Sequence, residues 1–497
     1  METVDFTGEI RISSRIIDYL SSGLYNTPGA CLKELVNNSF DADAQNVNVF
    51  VRPDADRIII QDDGIGIGID EFREHFDRVS ESRKREGTDV TPAGRPMIGR
   101  IGIGFIAANE ICDLMEVYST CPGSTQLLHV LINFQKMRKP IAERRRDGED
   151  VAKADYEGEI LSAESGTHFT KIFLTGVRGP AREILSSLQN DERHGWLRSF
   201  YGLRPKSIEA ILERHELRSW SDLDTYSRTY SEIALNVPVR YHDGWVPPNH
   251  AEDVQEFFDA IGRLSFNVSY DSTEMRKPIV LRGDEVGTFV EKFNFEGDHV
   301  AATGYFFVRH GSVHPQELNG VLVRIRNAAV GGYDDGFMDF PNSRFPLFQK
   351  WVSSEVWTDN RLEEAMNIDR RTLRTTHPAY IELRKAFHDR LAQVLQRARS
   401  ELHGEPARAK KQSRARQELA RIAKVVGDSD SPLTENVQQS LARLVDDSHL
   451  DDIRIRVLTK KYTVADIYRI SLEVAKTVMD DSAFQAFADQ LAKRLFG

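Results

Sequence analysis

The sequence predicts an α/β protein: a mixed β-sheet covered by helices on one face, then a second α/β unit and a helical tail. Three observations carry this reading. Apolar residues recur every three to four positions through residues 8–44, strand-like runs come directly after in residues 46–51 and 57–60, and later strands and helices mix without a regular βαβ rhythm.

In the first stretch Ile10, Ile16, Ile17, Leu20, Leu24, Leu32, Leu35 and Val36 hold the helical spacing, and Gly23 and Pro28-Gly29 interrupt it, so two helices are expected. The strand 57–60 runs into QDDGIGIGID, a glycine-rich turn after a buried strand. Further strands are expected at residues 114–119, 127–133 and 167–174. Residues 185–232 are polar and helical in pattern, and 233–241 (IALNVPVRY) alternates like a strand. Residues 242–249 then concentrate turn formers with Pro247 and Pro248, the composition of a domain junction. Beyond it VGTFVEKFNF, ATGYFFVRHG and NGVLVRIRNA read as successive strands, and a helical region resumes near His377. The expected domains are therefore 1–246, 247–400 and a helical 401–497, whose last forty residues suit oligomerisation or docking.

The chain has 497 residues, enough for two to four domains at about 100–200 residues each. Its 76 acidic residues exceed its 65 basic ones, a net charge of −11 that excludes a chain-wide nucleic-acid footprint. A local patch remains: the run from Arg408 to Lys424 holds seven basic residues against the single acidic Glu418. It reads as a solvated helix face or, alternatively, as a surface for DNA or a partner. The cysteines Cys31, Cys112 and Cys121 form no CxxC pair, so neither a disulfide framework nor a cysteine-based zinc site is indicated, and a reducing cytoplasm is the expected compartment. No stretch reaches about 18 uninterrupted apolar residues, so no membrane partner is expected.

Chemistry concentrates early. The run KELVNNSFDADA places Glu34, Asn38 and Asp41 at i, i+4 and i+7, within about 60° of one another on a helix. Taken alone, such a stripe is an ordinary solvated face. Two later segments change the weighting: IQDDGIGIG ends a strand with Asp62-Asp63 and spaced glycines including Gly66, and IGRIGIGFI repeats the device with Gly99, Gly102 and Gly104 ahead of an apolar helix. Amides exposed at a glycine-rich helix start make an anion site. Gly166-Thr167 then opens another strand.

In this order and spacing the residues resemble the GHKL ATPases, the superfamily of DNA gyrase B, the ninety-kilodalton heat-shock chaperone, sensor histidine kinases and MutL. KELVNNSFDA is similar to that family's N box, especially in its MutL form, DDGIG to its adenine motif, IGRIGIGF to the chaperone's glycine motif, and SGTHFTKIFL to its GT-containing strand. The resemblance implies a two-layer α/β sandwich of the Bergerat type, an α/β transducer domain after it, and ATP with Mg²⁺ as ligands. It assigns Glu34 as the general base for water, Asn38 as the magnesium ligand, Asp62 as acceptor of the adenine amino group, and Asp41 and Thr167 as its supports. Gly99, Gly102 and Gly104 would wrap the phosphates, and Lys84, in the lid-like 80–96, would touch one. The stretch around Asn367-Ile368-Asp369-Arg370 is similar to a chaperone middle-domain motif, which implies that Arg370 reaches the γ-phosphate, with Arg324 and Arg326 as weaker alternatives. The expected activity is that of an ATP-driven switch or clamp. Three outputs compete: a chaperone-like ATPase acting on a protein partner as a homodimer, a DNA-associated clamp of the MutL or microrchidia kind, and a nucleotide sensor without turnover, against which Glu34 argues.

Overall fold

The computed structural model describes residues 27–77, 90–99, 106–138, 156–164, 166–189, 218–241, 250–271, 273–277, 287–341, 346–367, 370–404 and 464–496. The chain divides into two compact units, Met1–Ala398 and Arg399–Gly497.

The first unit opens with helix α1 (Pro28–Asp41), then strands β1 (Asn46–Arg52) and β2 (Arg57–Asp62) and helix α2 (Ile69–Asp77). Helix α3 (Ile106–Ile111) leads into β3 (Cys112–Thr120), followed by β4 (Gln126–Asn133), helix α4 (Phe134–Arg138), β5 (Tyr156–Ser162) and β6 (Phe169–Val177). Helices α5 (Arg182–Gln189), α6 (Thr225–Asn236) and α7 (Ala251–Gly262) precede β7 (Asn267–Tyr270) and β8 (Thr273–Glu274). The strands form one sheet of eight in the order β5-β4-β3-β6-β2-β1-β7-β8, antiparallel except for the parallel pair β1–β7. Its last two strands thus come from beyond residue 246.

Period-two alternation decides the faces. On β1 it turns Val47, Val49 and Val51 inward, and on β2 Ile58, Ile60 and Asp62, so a carboxylate ends a row of apolar residues on the helix-covered face. That face packs against α1, α3, α5 and α6 in one core. Helices on a single face make this the two-layer α/β sandwich expected.

One sequence expectation fails here. The first four residues of IALNVPVRY are helical, not extended, because Asp224 caps α6 by accepting from Ser227 N at 2.7 Å and Ile233 and Ala234 are fully buried against the core. Packing of one helical face overrides a short alternating pattern. The first of the two helices expected in residues 8–44 lies outside the described residues.

A second sheet, in the order β12-β11-β13-β10-β9, is built from β9 (Thr288–Glu296), β10 (Ala301–Arg309), β11 (Gly320–Ile325), β12 (Ala328–Ala329) and β13 (Val352–Thr358), with the short helix α8 (Pro346–Gln349) before β13. Alternate residues of β10 face opposite helices. Tyr305 meets Phe257 of α7 at 5.7 Å between ring centroids, and Phe306 meets Phe387 of α9 (Pro378–Arg397) at 5.0 Å. In the other unit the described elements are most of a π-helix (Ala398–Gly404) and the helices α10 (Val464–Val478) and α11 (Asp481–Phe496). Among the described residues no helix is long and apolar enough to cross a membrane. All three cysteines are free, and burial pushes the thiols of Cys31 and Cys112 up.

Candidate functional site

The site starts at α1. Thr27 caps the helix, its hydroxyl accepting from Ala30 N at 3.2 Å, and Pro28 fills the first turn, where a missing N–H costs nothing. Within α1 only Asn38 is exposed. The polar stripe is therefore not a solvated face: Glu34 and Asp41 are 6% and 7% exposed. Burying carboxylates is costly unless the structure uses them, which makes their surroundings informative.

Between α1 and the sheet lies a cleft of about 340 Å³, within the usual range for small-ligand sites. Asn38, Asp41, Asp62 and Gly66 line it, with Met115, Val117 and Ile172 as apolar wall. Asp62 accepts from Ser39 Oγ at 2.7 Å and from Gly64 N at 3.0 Å. Burial pushes its pKa up, against the opposing effect of those hydrogen bonds. Gly66 has φ +71° and a Cβ there would stand 2.2 Å from the Thr120 carbonyl oxygen, so only glycine lets the turn pass this close to β3. The neighbouring Asp63 has a different task. Burial acts to raise its pKa, but donors from Asn46 and Gln45 outweigh burial and lower it, fastening β1 to β2.

Two carboxylates at the end of α1 hold the segment that closes one side of the cleft. Asp41 accepts from the amides of Ile98 and Gly99, each at 2.7 Å, and Asp43 accepts from Thr91 Oγ1 and from Ala93 N. Arg95 completes the attachment by donating to Ala44 O at 2.6 Å. Asp41 thus lines the cleft while both its oxygens are engaged by backbone.

A second, much smaller cavity of about 20 Å³ lies at the other end of the stripe. Lys33, Glu34 and Asn37 of α1 line it together with Arg326, Glu363 and Arg370 from around the second sheet. Lys33 Nζ stands 3.8 Å from Glu34 Oε1. Arg370, at φ +52° in a loop held by Asn367 and Thr372, donates to Ile98 O. Arg326 donates to Met97 O at 2.6 Å and pairs with Glu363 at 2.9 Å. Segment 97–99 is therefore gripped from both sides, its amides by a carboxylate of the first sheet's helix and its carbonyls by two arginines of the second sheet's loops.

Among the residues singled out in the sequence, Asn38, Asp41, Asp62 and Gly66 meet at the cleft, and Glu34 and Arg370 meet at the small cavity. Gly99 is held at their border by Asp41. Lys84, Gly102, Gly104 and the basic run 408–424 lie outside the described residues. Thr167 is not brought in: it is exposed, and its hydroxyl donates to Glu164 O at 3.2 Å. The strand begins two residues later than the GT pair suggests, and Thr170 lines the cleft instead, opposite Asp62 in register. Alternation from the buried Leu174 through Ile172 would have found it. Arg324 is also set apart, fully buried with Nε 2.5 Å from Glu355 Oε2. Ser39 and Asn37 were legible only as helix residues.

The donor set suits a nucleotide with Mg²⁺. Among the described residues no group of three or more His, Cys, Asp or Glu can hold a metal by itself, so an all-protein cage is absent there. Mg²⁺ needs little more than one protein oxygen beside phosphates and waters, and the exposed Asn38 amide in the cleft supplies one.

Residues 25–167 match the family of histidine kinase-, DNA gyrase B-, and HSP90-like ATPases. A putative type II restriction enzyme HgiDII of Herpetosiphon aurantiacus is 35% identical over 185 residues, covering 37% of this chain and 27% of that protein. The chaperone protein HtpG of Bacillus subtilis (strain 168) is 29% identical over 136 residues, 23% of this chain and 21% of its own. The mitochondrial heat shock protein 75 kDa of Bos taurus is 28% identical over 126 residues, 22% and 18% of the two chains. The similarity thus spans about a quarter or less of the length of these relatives.

Proposed function

From the premise that residues 25–167 are a GHKL-type ATPase domain, we propose that the protein hydrolyses ATP and uses the cycle as a conformational switch between its two sheets. The observation that carries this is the meeting of Glu34 and Arg370 in one cavity, beside the cleft lined by Asn38, Asp41 and Asp62. Asp62, oriented by Ser39 and Gly64, accepts from the exocyclic amine of adenine. Asn38 holds Mg²⁺, which when bound neutralises charge on the phosphate oxygens. Glu34 takes the proton of the attacking water, and Arg370 exchanges the Ile98 carbonyl for the γ-phosphate, where its charge is worth more than on a neutral oxygen. Gly102 and Gly104 would offer backbone amides to the phosphates, with Gly99 anchored beside them through its own amide to Asp41, and Lys84 would touch one phosphate.

Because Arg326 and Arg370 hold segment 97–99 from the second sheet, a nucleotide that draws Arg370 away loosens one of two attachments. A preference of a few kcal/mol for one arrangement suffices to switch populations. The output is chaperone-like action on a protein partner, in a homodimer held by the C-terminal helices. A second reading, a DNA-associated clamp, is supported by the relative described as a restriction enzyme and by the basic run from Arg408 to Lys424.

Steady-state ATP turnover with Mg²⁺, with nucleotide binding measured alongside, tests the proposal. Glu34→Ala should bind ATP and leave it intact, and Arg370→Ala should lose most of the rate, about a hundredfold for one lost transition-state donor. An unmodified protein that binds ATP and never hydrolyses it, alone or with DNA, would sink the reading. Neutralising the basic run separates the outputs, because DNA affinity carried there falls steeply with salt and vanishes with the charges.

A further inference from the structure

The small cavity contains an inconsistency unless something fills it. Asn37 is 6% exposed and lines the cavity, yet its Oδ1 is buried with no hydrogen-bond partner. Buried amide oxygens are nearly always satisfied, by protein or by ordered water. The cavity volume, about 20 Å³, exceeds the roughly 10–15 Å³ that one water molecule needs. Its wall supplies the polar partners a trapped water requires, the Glu34 carboxylate and the Arg370 guanidinium among them.

We infer that this cavity holds a single bound water and that Asn37 positions it against Glu34. Glu34 and Asn37 stand at i and i+3 on α1, so their side chains leave the helix on one face and converge on the same small space. Ile98, Val330 and Met366 supply apolar surface to its wall. Eight of its twelve lining residues come from around the second sheet, so the water site is complete only with that sheet docked on α1. Asn37 is then a positioning residue: its oxygen accepts one proton of the water, leaving an oxygen lone pair directed outward and the other proton available to Glu34. The inference rests on the proposed hydrolysis only for its catalytic consequence, since occupancy of the cavity can be seen without turnover.

The test combines a crystal structure of the intact protein, at a resolution that shows ordered water, with turnover and ATP binding of Asn37→Leu and Asn37→Asp. One water peak within hydrogen-bond distance of both Asn37 Oδ1 and Glu34 is expected in the unmodified protein, and none in Asn37→Leu. Asn37→Leu should bind ATP as before and lose about tenfold or more in kcat, because a water displaced by an ångström reacts far more slowly. Asn37→Asp keeps an acceptor oxygen of the same size at the same place, so it should retain the water peak and more of the turnover than Asn37→Leu, a rescue that a purely structural role would not produce. A dry cavity in the unmodified protein overturns the inference, as does a full kcat in Asn37→Leu. If that variant does not fold, Asn37→Ala, which also removes the acceptor, carries the same comparison with a smaller side chain. An unmodified protein without turnover overturns the proposed function and the catalytic part of the inference together, whereas normal turnover with an unaffected Asn37 variant overturns the inference alone.

Discussion

Glu34 and Glu355 are both buried glutamates, 6% and 1% exposed, but their oxygens are used in opposite ways. Glu355 on β13 has every direction taken: Oε2 accepts from Tyr241 at 2.8 Å and Arg324 at 2.5 Å, and Oε1 from Tyr333 at 3.0 Å and Tyr305 at 3.3 Å. Burial and the nearby carboxylate push all three phenols well up, so they stay donors. Glu34 has Lys33 at 3.8 Å, beyond hydrogen-bond reach, and opens on a water-sized cavity. A carboxylate whose lone pairs are all occupied holds two layers together and cannot accept another proton without cost. One with spare lone pairs beside a small cavity can act on what enters it.

Exchanging the charge for an amide at both places should separate the two roles. Glu34→Gln should lose about 10²–10⁴ in turnover while its urea midpoint barely moves. Glu355→Gln should instead lose about 3–5 kcal/mol of stability, because Arg324 is left charged and buried without its counter-charge. If Glu34→Gln unfolded as readily as Glu355→Gln, the distinction between them would collapse.

A smaller effect sharpens the limits of the cleft. Thr170→Val should weaken ATP binding about two- to tenfold through one lost hydroxyl, and Thr167→Val should leave it unchanged. Calorimetry that ranked the two in reverse would return the adenine end to the GT pair.

The smallest effect belongs to the sheet's other face. His129 on β4 lies between Glu116 and Glu159, 2.9 Å from each, and stacks on Tyr118. Burial acts to lower its pKa, but hydrogen bonds to Glu159 and Glu116 outweigh it and raise the value above 6.5. The contribution to stability is therefore complete below that unfolded value and is lost as pH rises through the higher folded one. The difference in melting temperature between the unmodified protein and His129→Gln should be largest below the unfolded value and close as pH rises past the folded one. An equal difference at both would rule out ion pairing as its source.

Much of the site was readable before the fold. The N box stripe became one helix, and Asp62 fell on the inner face because Ile58 and Ile60 precede it at the same parity. The arginines were not readable in this way. Arg324 and Arg326 sit two apart on what looks like one strand face, yet Arg324 enters the core and Arg326 turns to Met97 and Glu363, because Arg326 and Asn327 form a two-residue hairpin turn with φ +53° and +67°. Thr167 lies outside the cleft for a related reason: a motif fixes residue types, but the first paired residue of the strand, Phe169, is set by its neighbour β3.

By itself, the sequence determined the α/β class, the order of the nucleotide motifs, and which of their residues share a helix or strand face, because backbone periodicity is local and spacing reports it directly. Only the tertiary structure decided that Arg370 reaches Ile98 across 272 residues, that Asp41 spends its oxygens on two amides, and that Asn37 faces a water-sized void beside Glu34. Such meetings follow from how apolar layers stack, and many sequences with the same local periods would stack differently.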